Sequence, residues 1–291
     1  MKLLPFVFLL NSLVGMAQSD SVVCVNQLKS HISFLASDSM KGRSTGSKEE
    51  KLANIYVREN WASKNGKTEF LIWNYSIYTL EDTIQSQMIG NFINNKSKQT
   101  ILIGAHIDHI GLGGKLSKSY GKHDVHNGAD DNASGVGLLI ELQRYYSTKR
   151  LPFNLLFVAF TGHEIGTYGS EYLAQHLDKK FGELFCMLNF DMIGRMDPSS
   201  QKLYVSCSES LAQSFNTSEL TLSIADSTRL TILDSQHFLN QGIPSATFTT
   251  GMHDDYHRIS DDAKFINYAG MYQILLFFEN WINNQASTFL K

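Results

Sequence analysis

The chain predicts an α/β fold: one domain with a mainly parallel mixed sheet flanked by helices. Two observations predict it. From Thr100 onward, short apolar runs alternate with helical patterns, as in a sheet whose neighbouring strands are joined by crossover helices. In addition, His106, Asp131, Glu164, Asp191 and His257, all residue types that bind metals, fall just after predicted strands. In an open α/β sheet, ligands bind in the crevice outside the carboxyl ends of the strands. Residues far apart in sequence can therefore meet at one point.

Residues 1–17 have a basic start, the apolar run Leu3–Leu10 and then the small residues Gly15-Met16-Ala17. This is the pattern of a signal peptide, so the sequence predicts an exported protein, periplasmic or secreted, whose domain covers 18–291. A helix is predicted from Val25 to Ala36 and a second from Ser47 to Ser63, stopping at Asn65-Gly66. Residues 68–80 and 87–94 read as an antiparallel strand pair around Glu81-Asp82. The series continues with strand 100–105, a Gly-rich loop from Gly111 to Gly128, helix 134–147, strand 153–160, helix 168–177 and strand 185–191. Strand 202–207, helix 208–219, strand 229–233, helix 236–241, strand 245–249 and helix 266–284 close the chain.

With 43% hydrophobic residues over 291 positions, the chain is long enough to bury a sizeable core. The formal net charge of −3 and the lack of any basic block argue against nucleic acid as a partner. No segment after the leader has the make-up of a membrane span. Three cysteines, Cys24, Cys186 and Cys207, form no disulfide framework. The sequence says nothing about oligomeric state.

The candidate ligands sit in short motifs. In His106-Ile107-Asp108, a carboxylate two residues past an imidazole is placed to orient a ligating ring, although a buried structural His–Asp pair looks the same. The loop Asn127–Gly135 carries Asp130 and Asp131 side by side before an apolar helix. Helix capping accounts for one acid there, while burying both calls for a cation. Thr161-Gly162-His163-Glu164 lies at a strand end and is not a zincin motif, because Thr167 stands where the second His would be. Asp191 ends an apolar strand, where a capping role is the rival reading, and His253 to Asp261 is dense in ligand types. Two imidazoles and three carboxylates suit a zinc-type site, and a shared carboxylate permits two ions.

Taken together, Leu35–Asp38, Gly42-Arg43, Gly46-Ser47, Gly104–Gly111, Asn127–Gly135, Phe160–Glu164, Asn189–Arg195, Gly242–Ser245 and Tyr256-His257 resemble the secreted bacterial di-zinc aminopeptidases. Glutaminyl cyclases and glutamate carboxypeptidases share that superfamily. The resemblance implies two Zn2+ per chain, one on His106 and Asp191, the other on Glu164 and His257, with Asp131 between them. It implies that Asp108 orients His106, that Tyr256 steadies the oxyanion, and that a metal-activated water attacks a peptide with a free N-terminus. The chain departs from the pattern at His163, where the family has the general-base Glu, and at Gln236 in Ser235-Gln236-His237-Phe238, where an acid is common. These changes point to a less negative site, with His163 as the proton carrier. The alternatives are a cyclase-like acyltransferase and a zinc-binding protein without turnover.

Overall fold

The computed structural model describes residues 6–61, 68–215, 220–226 and 233–286, with backbone alone for 6–20, 225–226 and 285. Its helices are α1 (Phe6–Leu35), α2 (Lys48–Asn60), α3 (Gly135–Tyr146), α4 (Tyr168–His176), α5 (Glu209–Ala212), α6 (Asp234–Asn240) and α7 (Tyr268–Asn280). Its strands are β1 (Thr68–Tyr78), β2 (Thr83–Ile93), β3 (Gln99–His106), β4 (Asn154–Phe160), β5 (Glu183–Phe190), β6 (Lys202–Cys207), β7 (Thr221–Asp226) and β8 (Ser245–Thr249).

All eight strands form one sheet in the order β1-β2-β4-β3-β5-β8-β6-β7. The central four, β4-β3-β5-β8, are parallel. The β1–β2 hairpin adds antiparallel to β4, and β6 runs antiparallel to β8 while pairing parallel with β7. The parallel strands all end at the same edge of the sheet, so one edge collects four chain exits.

Alternation along the strands feeds two cores. Ile101, Ile103 and Ala105 of β3, with Leu155, Phe157 and Ala159 of β4, enter the larger core beneath α1, α2, α3 and α7. Leu102, Leu156, Val158 and Phe160 face the smaller core with Leu173 of α4 and Phe238 of α6. Strands buried on both faces read as continuous apolar runs, which is why β3, β4 and β5 were legible. Gly104 has no side chain because the Phe160 ring lies directly over it. Helix α2 starts at Ser47, whose hydroxyl accepts the Glu50 N–H at 3.0 Å.

The chain differs from expectation in four places. Helix α1 begins inside the segment read as a leader, and among the described side chains Cys24, Leu28, Ile32 and Leu35 seat it in the core. The helix expected over 208–219 is only α5, and 216–219 lie outside the described residues. Strand β7 was not expected, its Leu222 pairing with Leu203 of β6, and the strand expected near 229–233 falls almost wholly on positions 229–232, which lie outside the described residues. Helix α7 is shorter than 266–284 and loosens into a wider turn from Trp281. No helix among the described residues is long and apolar enough to cross a membrane. All three cysteines are free and buried.

Candidate metal centre

His106 is the last residue of β3 and Asp191 the first after β5, two neighbouring parallel strands. Glu164 follows β4 by a short loop, and His257 follows β8 by a longer one. Asp131 comes from the irregular turn leading into α3. The fold brings all five together.

Asp131 stands between two groups of donors. Its Oδ1 lies 3.4 Å from His106 Nε2, which is itself 3.5 Å from Asp191 Oδ1. Its Oδ2 lies 3.3 Å from His257 Nε2, which is 3.1 Å from Glu164 Oε2. Donors bound at 2.0–2.2 Å around a tetrahedral ion sit about 3.4 Å apart. The observed spacings are those of ligands around a common centre. His106 Nε2, His257 Nε2 and Asp131 Oδ2 are all buried without a hydrogen-bond partner. Buried polar atoms left unpaired are costly, and two metal ions, one on each side of Asp131, would satisfy all three.

The rings are aimed by their other nitrogens. His106 Nδ1–H donates to the Asp108 carbonyl at 3.1 Å, and His257 Nδ1–H to the Leu116 carbonyl at 3.1 Å. Each therefore presents Nε2 to the site. The Asp108 carboxylate was expected to orient His106, yet it is 3.8 Å from that ring. It accepts instead from the Thr45 hydroxyl (2.7 Å) and from the backbone N–H groups of His163 and Glu164 (3.2 Å each). Asp108 acts on His106 through its backbone and on Glu164 through its side chain.

Two further residues went unrecognised in the sequence. His109 is buried, donates Nδ1–H to Glu164 Oε1 at 2.9 Å and lies 3.6 Å from Asp131 Oδ2. Its ring rests on Gly128, whose positive φ of 59° and missing Cβ make room for it. The only signal was the second His of His106-Ile107-Asp108-His109. Asp234, at the start of α6, lies 2.9 Å from His163 Nδ1. The carboxylate near His163 is thus Asp234, two residues before Gln236, so the site has not lost its acid. Gln236 bonds Asn240 and faces away. His163, His106 and Asp191 form one group able to hold a metal, and His109, Asp131 and Glu164 another.

Of the adjacent acids, only Asp131 faces the donors. Asp130 turns away to accept the Gly194 N–H at 2.6 Å and to meet His253 at 3.1 Å. Asp261 holds this turn by accepting the N–H groups of both Asp130 and Asp131, and Arg195 lies 3.2 Å from it. Arg43 is fully buried, and its guanidinium donates to the carbonyls of Leu35, Ile107, Asn127 and Gly128. It ties the first turn of the chain to two ligand-bearing loops. His126 bonds Ser117 and stays out of the centre.

Charge balance favours cations here. Burial opposes ionised Glu164, but His109 and His257 hold it well below the usual carboxylate range. Burial and His163 oppose a charged His106, yet Asp191 and Asp131 raise it to about 9. His257, also against burial, is raised to about 10 by Asp131 and Glu164. Burial, with Asp131 and Glu164 nearby, keeps the Tyr256 hydroxyl protonated. A cavity of about 480 Å³ opens over the centre, lined by Asp131, His163, Asp191, Leu233, Met252 and Tyr256 among others.

The alkaline phosphatase isozyme conversion protein of Escherichia coli K12 is 27% identical over 168 residues, 52% of this chain and 46% of that protein. Aminopeptidase YwaD of Bacillus subtilis is 28% identical over 136 residues, 43% of this chain and 29% of that protein. The chain thus spans less than half the length of these curated relatives. Its fold is similar to that of a Zn-dependent exopeptidase from Parabacteroides distasonis (TM-score 0.74, 16% identity, covering 89% of this chain and 98% of that one). The sequence profile of peptidase family M28 matches residues 88–281, a stretch that holds every donor described above. The chain therefore belongs to peptidase family M28.

Proposed function

We propose that this protein is an exported zinc exopeptidase, an aminopeptidase that removes N-terminal residues from peptides. The observation that carries the reading is Asp131, whose two carboxylate oxygens each face a separate His–carboxylate pair. His106 and Asp191 would hold one zinc ion, His257 and Glu164 the other, and Asp131 both. The ions, when bound, polarise the scissile carbonyl and acidify the attacking water.

This chain's own residues do the rest. His163 accepts a proton from the attacking water and passes it to the leaving nitrogen. Tyr256, its hydroxyl still protonated, donates to the developing oxyanion. Asp108 fixes the 163–164 backbone so that His163 and Glu164 keep their places. The substrate's free N-terminus would dock in the cavity that Asp131 and Asp191 line, while Leu233, Met192 and Met252 offer apolar contact to its side chain. Two donor groups, where a glutaminyl cyclase needs a single zinc, weigh against the cyclase reading. Residues 1–17 would direct export and be removed.

The test is a panel of aminoacyl p-nitroanilides and dipeptides with N-acetylated controls. Zinc-loaded protein should cleave the free-amine substrates alone, lose activity to a chelator and regain it with zinc. Zinc-loaded protein that is inert across the panel would refute the reading.

A further inference from the structure

We propose that Asp234 is the positioning residue that makes His163 a base, so that a His–Asp dyad does the work of a single carboxylate in this site. The inference rests on the hydrolase reading above. Asp234 belongs to neither donor group, yet it is fully buried. Its Oδ2 receives His163 Nδ1–H at 2.9 Å, and its Oδ1 receives the Ser170 hydroxyl at 2.5 Å. Both oxygens are therefore occupied and the carboxylate cannot turn.

With Nδ1–H donated to Asp234, the lone pair of His163 is confined to Nε2. The ring is also clamped from its face. It stacks on His106 with centroids 3.8 Å apart and planes within 7°, and it lines the cavity above the centre. A buried carboxylate that fixes tautomer and orientation while stabilising the imidazolium is the logic of the serine-hydrolase triad, here applied to water.

His163 is also close enough to His106 and Asp191 to be a third ligand. The stacking argues against that role. An imidazole binds a metal in its own plane, and two nearly parallel planes share no point where one ion could lie in both. The dyad thus serves proton transfer. In the step, a C–O bond forms and the C–N bond breaks. One proton of the water moves to His163 Nε2 and then to the leaving nitrogen, the other ionises from the product acid, and the Nδ1–H stays on Asp234.

The test is Asp234→Asn in the zinc-loaded full chain, with Asp234→Glu and His163→Ala alongside and circular dichroism as the folding check. Asp234→Asn should lower kcat by about 10²-fold or more, within the 10²–10⁴ that general acid–base catalysis supplies, with KM and zinc content unchanged. Asp234→Glu should restore part of the loss. A low-field proton resonance from Nδ1–H should appear in the wild type and vanish in Asp234→Asn and His163→Ala. An unchanged kcat, loss of zinc in parallel with activity, or survival of that resonance in Asp234→Asn overturns the dyad. Because the resonance needs no turnover, it tests the dyad even if every peptide substrate is refused, a result that would sink only the hydrolase reading.

Discussion

The two halves of the metal centre rest on different scaffolds. His106 and Asp191 sit on the ends of β3 and β5, adjacent strands paired as far as Ala105 and Phe190. Sheet hydrogen bonding sets their separation. His109, Glu164 and His257 lie three, four and eight residues past β3, β4 and β8, and His257 adopts φ 57°, a conformation few side chains take. Their positions depend on the Asp108 carboxylate, the Leu116 carbonyl and the His109–Glu164 bond. The sheet half should tolerate distant changes, while the loop half should register the loss of a single hydrogen bond.

The largest effect breaks both halves together. Asp131→Ala removes the one residue common to them, so steady-state assays should find turnover at background. Next comes a change confined to the loop half. Asp108→Asn should weaken zinc binding by about 10- to 100-fold, the usual cost of losing an outer partner, and titration with a chelator should release one ion well before the other. Equal loss from both sites would contradict the contrast between sheet and loop.

A smaller effect follows from charge. In the metal-free protein, burial opposes charged imidazoles, but the carboxylates raise His106 to about 9 and His257 to about 10, from 6.5. Folded-state values above the unfolded one mean that this stabilisation is complete below pH 6.5 and is lost as pH rises through 9 to 10. Zinc displaces those protons and removes the dependence. The difference in Tm between zinc-loaded and stripped protein should therefore widen from about pH 6.5 to 9. A constant difference would show that these imidazoles are not held charged by the site. The smallest effect is Gln236→Ala, which should change kcat/KM by less than about two-fold, as remote surface substitutions do.

The same contrast explains what the sequence could reveal. Ligands at strand ends are legible because an apolar run announces the strand and its last residue announces the edge. His106 and Asp191, with Glu164 a few residues past β4, were singled out as candidates this way, and β1 through β5 were placed to within a few residues. Loop geometry leaves no such periodic trace. His109 went unassigned because its approach to Glu164 depends on a turn over Gly128. Asp234 went unseen because motif alignment pointed at Gln236, whereas the side chain that reaches His163 is set by where α6 begins. Asp130 and Asp131 looked equivalent, yet the turn before α3 sends one toward the donors and the other toward His253.

The central claim is that Asp131 sits between two metal ions. Anomalous diffraction at the zinc edge from crystals of the full chain tests it most directly. Two peaks about 3.5–4 Å apart, one on each side of the Asp131 carboxylate, are predicted. A single peak, or peaks out of reach of Asp131, would contradict the account.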